Sequence, residues 1–230
     1  MNPNLETVRQ NLLFENVSEE VLEHCILPRG TVLKLEQGEN VFLPLEQVNT
    51  VQILLSGKIK LAYYMANGEE DIRNLLMPGE LIGIDLVCTR TQLSPYQATA
   101  VEKSEIFSMS ASDFLEPGIL PEVTRLACLR NLLIILSQIN MRNEYRLAIL
   151  MRNSLRERIL VYLFMQANRN MSDTFSIPFT REEMASFLRV NRSALSHELS
   201  LMKQEGIIDF SRNRFTLLKK NSASYDVAAF

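Results

Sequence analysis

Apolar positions along the chain fall into two textures. From Pro28 to about Ser110 they come in short runs: Thr31–Leu35, Asn40–Leu43, Val51–Leu55, Ile59–Met65, Asp71–Met77, Gln97–Val101 and Ile106–Met109. Runs this short, bounded by turn-forming residues, predict β-strands. Between them lie Gln37-Gly38-Glu39, Ser56-Gly57-Lys58, Ala66-Asn67-Gly68-Glu69 and Met77-Pro78-Gly79-Glu80. Asn67-Gly68 predicts a hairpin, because both residues accept positive φ in a tight turn. Several strands at a spacing of about 8–12 residues predict a sandwich or barrel. Ahead of them, residues 1–23 read as a short amphipathic helical opening through Leu12, Leu13 and Phe14, with Ser18 capping a turn that carries Val21 and Leu22.

Beyond Pro121 the period becomes helical. Val123, Leu126, Leu129, Leu133, Leu136, Ile139 and Asn140 follow one another at helical intervals, and the pattern continues to Leu147. Neither glycine nor proline occurs between residues 122 and 176. A helix of about 25 residues or more is too long to lie against one small β-domain throughout, so it is expected to pair with its own copy as a coiled coil. A long core helix in a monomer is the alternative. Asn140 suits a polar residue that sets the register of such a pair.

A second helix is expected from Leu155 to about Met165, followed by a polar loop over Ala167–Thr174. Thr180 and Glu183 then form a capping box, flanked by Phe179 and Met184 as a hydrophobic staple. The helix that starts there is short and ends near Leu188. After Arg189-Val190-Asn191, with Asn191 as N-cap, comes a further helix with Leu195, Leu199 and Met202 turned inward. Its other side presents Arg192, Ser193, Ser196, His197, Ser200 and Lys203, a face without acids; Glu198 sits on the flank. Two helices joined by a short turn, the second with a polar and basic face, predict a helix-turn-helix. Ile207–Phe210 and Phe215–Leu218 flank Ser211-Arg212-Asn213-Arg214, a hairpin whose basic tip suits phosphate contacts through Arg212 and Arg214.

Charge supports this division. Residues 1–150 hold 12 Lys+Arg against 19 Asp+Glu, a balance of −7, whereas residues 151–230 hold 12 against 8, a balance of +4. A basic C-terminal part points to an anionic partner. With 47% apolar and 22% charged residues among 230, the chain is an ordinary globular one with material for more than one core. No apolar run, Leu132 to Leu136 included, approaches the roughly 20 residues of a membrane span. The first residues carry no secretory pattern, so a cytoplasmic protein is expected. Cys25, Cys88 and Cys128 are too few and too scattered for a disulfide framework or a zinc site. With His24 and His197 as the only histidines and no paired-carboxylate or Ser/His/Asp constellation in view, no enzyme is expected.

The order of the glycine words, Gln37-Gly38-Glu39, Ile53-Leu54-Leu55-Ser56-Gly57-Lys58-Ile59-Lys60-Leu61, Asn67-Gly68-Glu69-Glu70 and Pro78-Gly79-Glu80-Leu81-Ile82-Gly83, followed by this helix-turn-helix, resembles the CRP/FNR family of bacterial transcription regulators. The resemblance runs from about Leu12 to Lys219. It implies an α+β chain in three parts. These are an effector-sensing β jelly roll like the cyclic-nucleotide-binding domain (1–118), a long dimerisation helix (119–150) and a winged helix-turn-helix (151–230). The implied function is a homodimeric, sequence-specific regulator of transcription on palindromic double-stranded DNA, its half-sites about 34 Å apart. RNA polymerase is the implied protein partner, and a small molecule the implied effector. An interaction module whose winged helix docks a protein instead of DNA is the alternative.

Several residues depart from the family pattern. Cyclic-nucleotide binders carry a Glu after the second pocket glycine, for the ribose hydroxyl; after Ile82-Gly83 this chain has Ile84. They also carry an Arg-Ser or Arg-Thr pair before the strand that here contains Ala98, where a guanidinium fork suits a cyclic phosphate. Here the stretch is Gln92-Leu93-Ser94-Pro95-Tyr96-Gln97, and the nearest basic pair, Arg90-Thr91, lies several residues early. The expected effector is therefore a small molecule other than cyclic AMP. Its candidate contacts are Ile82, Gly83, Arg90 and Thr91, with Ser137 and Gln138 where relatives reach into the pocket from the long helix; a solvated helix face is the alternative for these last two. An iron–sulfur cluster needs four thiolates and the chain has three, and the β-domain has no histidine for haem, so neither cofactor is expected. At the DNA end, Thr180 and Arg181 match family phosphate contacts, and Arg192 is the candidate for a bidentate contact to guanine. Ser193 and His197 replace the other base readers, which implies a different target sequence. Arg189 stands where glycine is frequent, and left-handed backbone there costs about 1–2 kcal/mol.

Overall fold

Strand length and turn chemistry together build the N-terminal unit. The computed structural model describes residues 4–65 and 70–218, so the Asn67-Gly68 turn and Lys219 lie outside the described residues. Eight strands form two antiparallel four-stranded sheets: β1 (Thr31–Leu35), β2 (Asn40–Phe42), β3 (Thr50–Ser56), β4 (Ile59–Tyr64), β5 (Glu70–Leu76), β6 (Leu81–Ile82), β7 (Gln97–Ala100) and β8 (Ser104–Ser110). One sheet has the order β1-β8-β3-β6 and the other β2-β7-β4-β5. The β3–β4 turn needs glycine at Gly57: φ is +86°, and a Cβ there would lie 2.2 Å from the Ser104 hydroxyl. Strand β6 went unanticipated because two residues carry no readable period. It is held by pairing of Leu81 and Ile82 with Ile53 and Gln52.

Short helices close this unit. After α1 (Asn4–Arg9), a tight turn at Leu12–Phe14 buries Leu13 and Phe14. Ser18 caps α2 (Glu19–Val21) by accepting from the Val21 amide. Gly83, left-handed at φ 69°, is the N-cap of α3 (Ile84–Val87), and α4 (Ser112–Leu115) follows β8. The expected long helix is α5 (Glu122–Leu150). Its apolar residues do not form the single stripe that their spacing suggests. Cys128, Leu132 and Ile135 are buried in the core of the roll, whereas Val123, Leu126 and Leu133 are exposed. Consecutive residues on a helix point about 100° apart, so the pair Leu132-Leu133 serves two faces. Asn131 is also buried. Its amide donates to the Leu13 and Glu15 carbonyls at 3.1 and 2.8 Å, tying α5 to the N-terminal segment.

Contacts divide the chain into two units, 1–141 and 142–230. In the second, Ser154 and Glu157 form a capping box that opens α6 (Leu155–Asn170). This helix runs five residues beyond Met165, through the first half of the expected polar loop. Residues 166–170 include no glycine or proline, the Asn170 side chain donates back to the Gln166 carbonyl, and Met171 ends the helix in left-handed backbone. The short strand β9 (Thr174–Ser176), absent from the expectation, follows. Then come α7 (Arg181–Phe187), α8 (Arg192–Gln204), β10 (Ile208–Ser211) and β11 (Arg214–Leu217), with sheet order β10-β11-β9. Met184, Leu188, Leu195, Leu199, Met202, Ile208 and Phe215 are buried here, each large side chain contributing roughly 1.5–3 kcal/mol.

Candidate nucleic-acid interface and the interior of the β-roll

Local chemistry sets the geometry of the helix pair. Thr180 accepts from the Glu183 amide at 3.2 Å, and Glu183 accepts from the Thr180 amide at 2.6 Å, which starts α7 as its sequence predicts. Buried Phe179 packs tilted against Tyr162 and Phe187, their ring centroids 5.9 and 4.9 Å away. The turn passes through Arg189 at φ 55°, the left-handed conformation expected of it. Arg158 braces this turn by donating to the Leu188 carbonyl at 3.1 Å. Asn191 then caps α8: its Oδ1 accepts from the Ala194 amide at 2.7 Å and from the Ser193 hydroxyl at 2.8 Å.

These contacts leave a polar and basic helix face in solvent. Asn191, Arg192, Ser193 and His197 are exposed and Ser196 is half-buried, while Leu195, Leu199 and Met202 fill the core. Glu198 is held on the flank, where Arg156 of α6 donates to it at 2.5 Å and grips Glu205 at 2.7 and 2.8 Å. Hydrogen bonds to Glu205 first, then Glu198, raise the Arg156 guanidinium further above its ordinary value. The acids nearest the face are thereby partnered from behind.

The wing is the hairpin β10–β11, with Arg212 and Asn213 at its tip and Arg212 at φ 53°. Arg212 and Arg214 are exposed. Arg181, expected as a phosphate contact, also holds the wing. It donates to the Arg212 carbonyl at 3.0 Å and lies 5.0 and 5.4 Å from the ring centres of Phe210 and Phe215, and burial lowers its guanidinium. Lys203 pins the other side through Asp209 at 2.5 Å and the Phe210 carbonyl at 3.2 Å. Arg181 thus comes together with the wing while Thr180 caps the start of α7, and Asn191, Arg192, Ser193, Ser196 and His197 lie together at the start of α8. Sequence reasoning missed the bracing residues Arg156 and Arg158, since a long-range partner leaves no periodic signal.

The effector candidates are placed differently. Ile82 and Gly83 are buried, whereas Arg90, Thr91, Ser137 and Gln138 are exposed. The Ser137 hydroxyl donates to the Leu133 carbonyl within α5. The polar centre beside Gly83 is instead made by three residues that sequence reasoning passed over. Arg73 donates to Asp85 Oδ2 at 2.8 Å, and the Tyr96 hydroxyl donates to Asp85 Oδ1 at 2.7 Å. The Arg73 guanidinium lies 4.5 Å from the centre of the Tyr96 ring. Burial, then the Asp85 charge, pushes the Tyr96 hydroxyl far above its ordinary value. For Arg73, burial is the largest single influence and acts downward, but the Asp85 charge, the Tyr96 hydroxyl and the hydrogen bond to Asp85 together outweigh it, so the net shift is upward. The available signal was Asp85 one position after Ile84, and Tyr96 in the stretch where an Arg was sought.

A β-roll followed by an exposed basic helix and a basic wing defines a DNA-binding regulator with an effector-type domain. Comparison with known proteins agrees. The cyclic nucleotide-binding domain family matches residues 32–116, and the Crp-like helix-turn-helix domain family matches residues 157–222. The transcriptional activator protein FnrA of Stutzerimonas stutzeri is 24% identical over 189 residues, covering 80% of this chain and 74% of that protein. The cyclic AMP receptor protein of Thermus thermophilus is 24% identical over 172 residues, covering 75% of this chain and 76% of that protein. The structure of FixK2 from Bradyrhizobium japonicum superposes with a TM-score of 0.66 at 16% identity, covering 83% of this chain and 93% of that one. The chain belongs to the CRP/FNR family of transcription regulators. Among the described residues no helix is long and apolar enough to cross a membrane.

Proposed function

We propose that the protein is a homodimeric, sequence-specific transcription regulator that acts in the cytoplasm on a palindromic DNA site, with RNA polymerase as its protein partner. The observation that carries this reading is the α8 face: Arg192, Ser193 and His197 exposed together, the flanking acids gripped by Arg156, and a basic wing tip beside it. Arg192 reads guanine through its planar fork, and Arg212 and Arg214 contact phosphates.

Dimerisation rests on the outer side of α5. Leu126, Leu133, Asn140 and Leu147 recur every seventh residue, and the three leucines are 53%, 66% and 54% exposed. A seven-residue repeat is the period of a left-handed coiled coil, and Asn140 within it sets the register. A second copy of α5 is the occupant this spacing fits.

The β-roll supplies control, and cyclic AMP does not suit it: Ile84 replaces the ribose-binding acid, and Tyr96 stands in the stretch where a phosphate-binding Arg belongs. The reading includes no iron–sulfur cluster or haem. Selection of bound duplexes from a random library by the purified full-length protein tests it. An enriched palindrome whose binding falls steeply with salt is expected, since phosphate contacts release counterions. Absence of enrichment, with and without candidate effectors, would favour a winged helix that docks a protein.

A further inference from the structure

The triad inside the β-roll joins three separate elements: Arg73 from β5, Asp85 from α3, and Tyr96 just ahead of β7. Both carboxylate oxygens of Asp85 are taken, one by Arg73 and one by the Tyr96 hydroxyl. The Arg73 side chain is only 13% exposed and Tyr96 only 1%. Tyr96 is walled by Phe42 and Tyr63, their ring centroids 5.7 and 6.0 Å away. A cationic fork facing a carboxylate inside an aromatic box is the chemistry by which a protein binds a small anion. Here the anion belongs to the chain itself.

A largely buried ion pair is a poor device for stability alone, because desolvation offsets much of its attraction. What it does provide is position, since a bidentate carboxylate sets where α3 lies relative to β5 and β7. That position is read by α5. Val87, two residues beyond Asp85, lines a small apolar gap together with Cys128 and Leu132 of α5 and Leu13 of the N-terminal segment. Moving α3 therefore alters the packing under the long helix.

We infer that the Asp85 carboxylate, held by Arg73 and Tyr96, is a built-in anionic ligand that keeps the β-roll in its DNA-binding form without a small-molecule effector. The inference rests on the DNA-binding reading above and replaces the small-molecule effector that the family resemblance implies. Energetically it is a population shift, in which the tethered carboxylate stabilises one of two arrangements at very high effective concentration.

The test uses the full-length protein, refolded from denaturant to strip ligands, with the selected palindrome as probe. The wild type is expected to bind without additives, and cyclic AMP and cyclic GMP leave its affinity within about twofold. Asp85→Ala should bind about tenfold or more weakly, as expected when the competent fraction falls. Acetate or formate at constant ionic strength should restore it, by filling the vacated place beside Arg73. The same anions should raise the unfolding temperature of Asp85→Ala, but not of the wild type or of Arg73→Ala/Asp85→Ala.

If Asp85→Ala does not fold, Asp85→Asn decides. It keeps the volume and an acceptor for Tyr96 while losing the charge, and a fivefold or greater loss of affinity, by roughly the same arithmetic, supports the inference. A wild type that needs an added ligand, a charge-free variant that binds like the wild type, or a folded Asp85→Ala that carboxylates do not rescue would overturn it. Failure of the DNA-binding reading looks different, with no duplex enriched by the wild type; the acetate melting series then decides alone whether Asp85 occupies an anion's place.

Discussion

In the β-roll, Arg73 has its guanidinium on Asp85 and over the Tyr96 ring. On the winged helix, the side chains of Arg192, Arg212 and Arg214 are exposed and carry no ion pair among the described residues. The same residue type is thus used in opposite ways in the two units. A buried guanidinium must find its counter-charge within the chain, because leaving it unpaired in low dielectric is costly. An exposed one is hydrated and remains available to a partner that supplies the anion. The difference places recognition of DNA at the second unit, and makes the first unit a domain whose polar centre is already satisfied.

Four substitutions break or sharpen this contrast. The largest effect is expected from Leu133→Glu, which puts a charge on the outer seam of α5. On the proposed dimer, loss of pairing removes the second half-site contact, and affinity for a palindrome falls by about 10²–10⁴-fold while half-site binding persists; sedimentation velocity and fluorescence anisotropy measure the two. Arg192→Ala comes next. It should cost about 1–3 kcal/mol of discrimination at one base pair in each half-site, so cognate binding drops and binding to scrambled DNA barely changes. Equal losses on both duplexes would remove Arg192 from base reading.

The two smaller effects separate the units. Asn131→Ala leaves the Leu13 and Glu15 carbonyls without their donor and should lower stability by about 1–3 kcal/mol in denaturant unfolding. Because Asn131 lies far in chemistry from any phosphate, the salt dependence of DNA binding stays as in the wild type. Arg212→Ala should do the reverse. Unfolding is unaffected, and the slope of log affinity against log salt falls by about 1 for each wing that contacts a phosphate. An unchanged slope would show that the wing tip does not reach the DNA backbone.

How much was legible beforehand depended on the range of the interaction. The capping box at Thr180 and Glu183, the cap at Asn191 and the left-handed Arg189 are local, made within four residues, and the structure has each of them. Seven of the eight strands of the roll could be read from short apolar runs between turns. The end of α6 differs from the expected one, because the polar composition over Ala167–Asn170 suggests a loop although no residue there forbids a helix. The effector candidates were chosen by their place along the chain. Of these, Ile82 and Gly83 lie inside the roll, and Arg90, Thr91, Ser137 and Gln138 lie on the surface.

The sequence by itself determined the order of elements, the β-roll before a long helix before a winged helix, and the exposed identity of the α8 face. These follow from periodicity, capping and turn residues, which act over a few positions and are written in the chain. Only the tertiary structure decided which side of α5 is buried, that Arg156 holds Glu198 and Glu205, and that Arg73, Asp85 and Tyr96 meet. Those contacts join residues 11 to 49 positions apart across different elements. Such pairings are set by how sheets and helices pack, and no local pattern of residues records them.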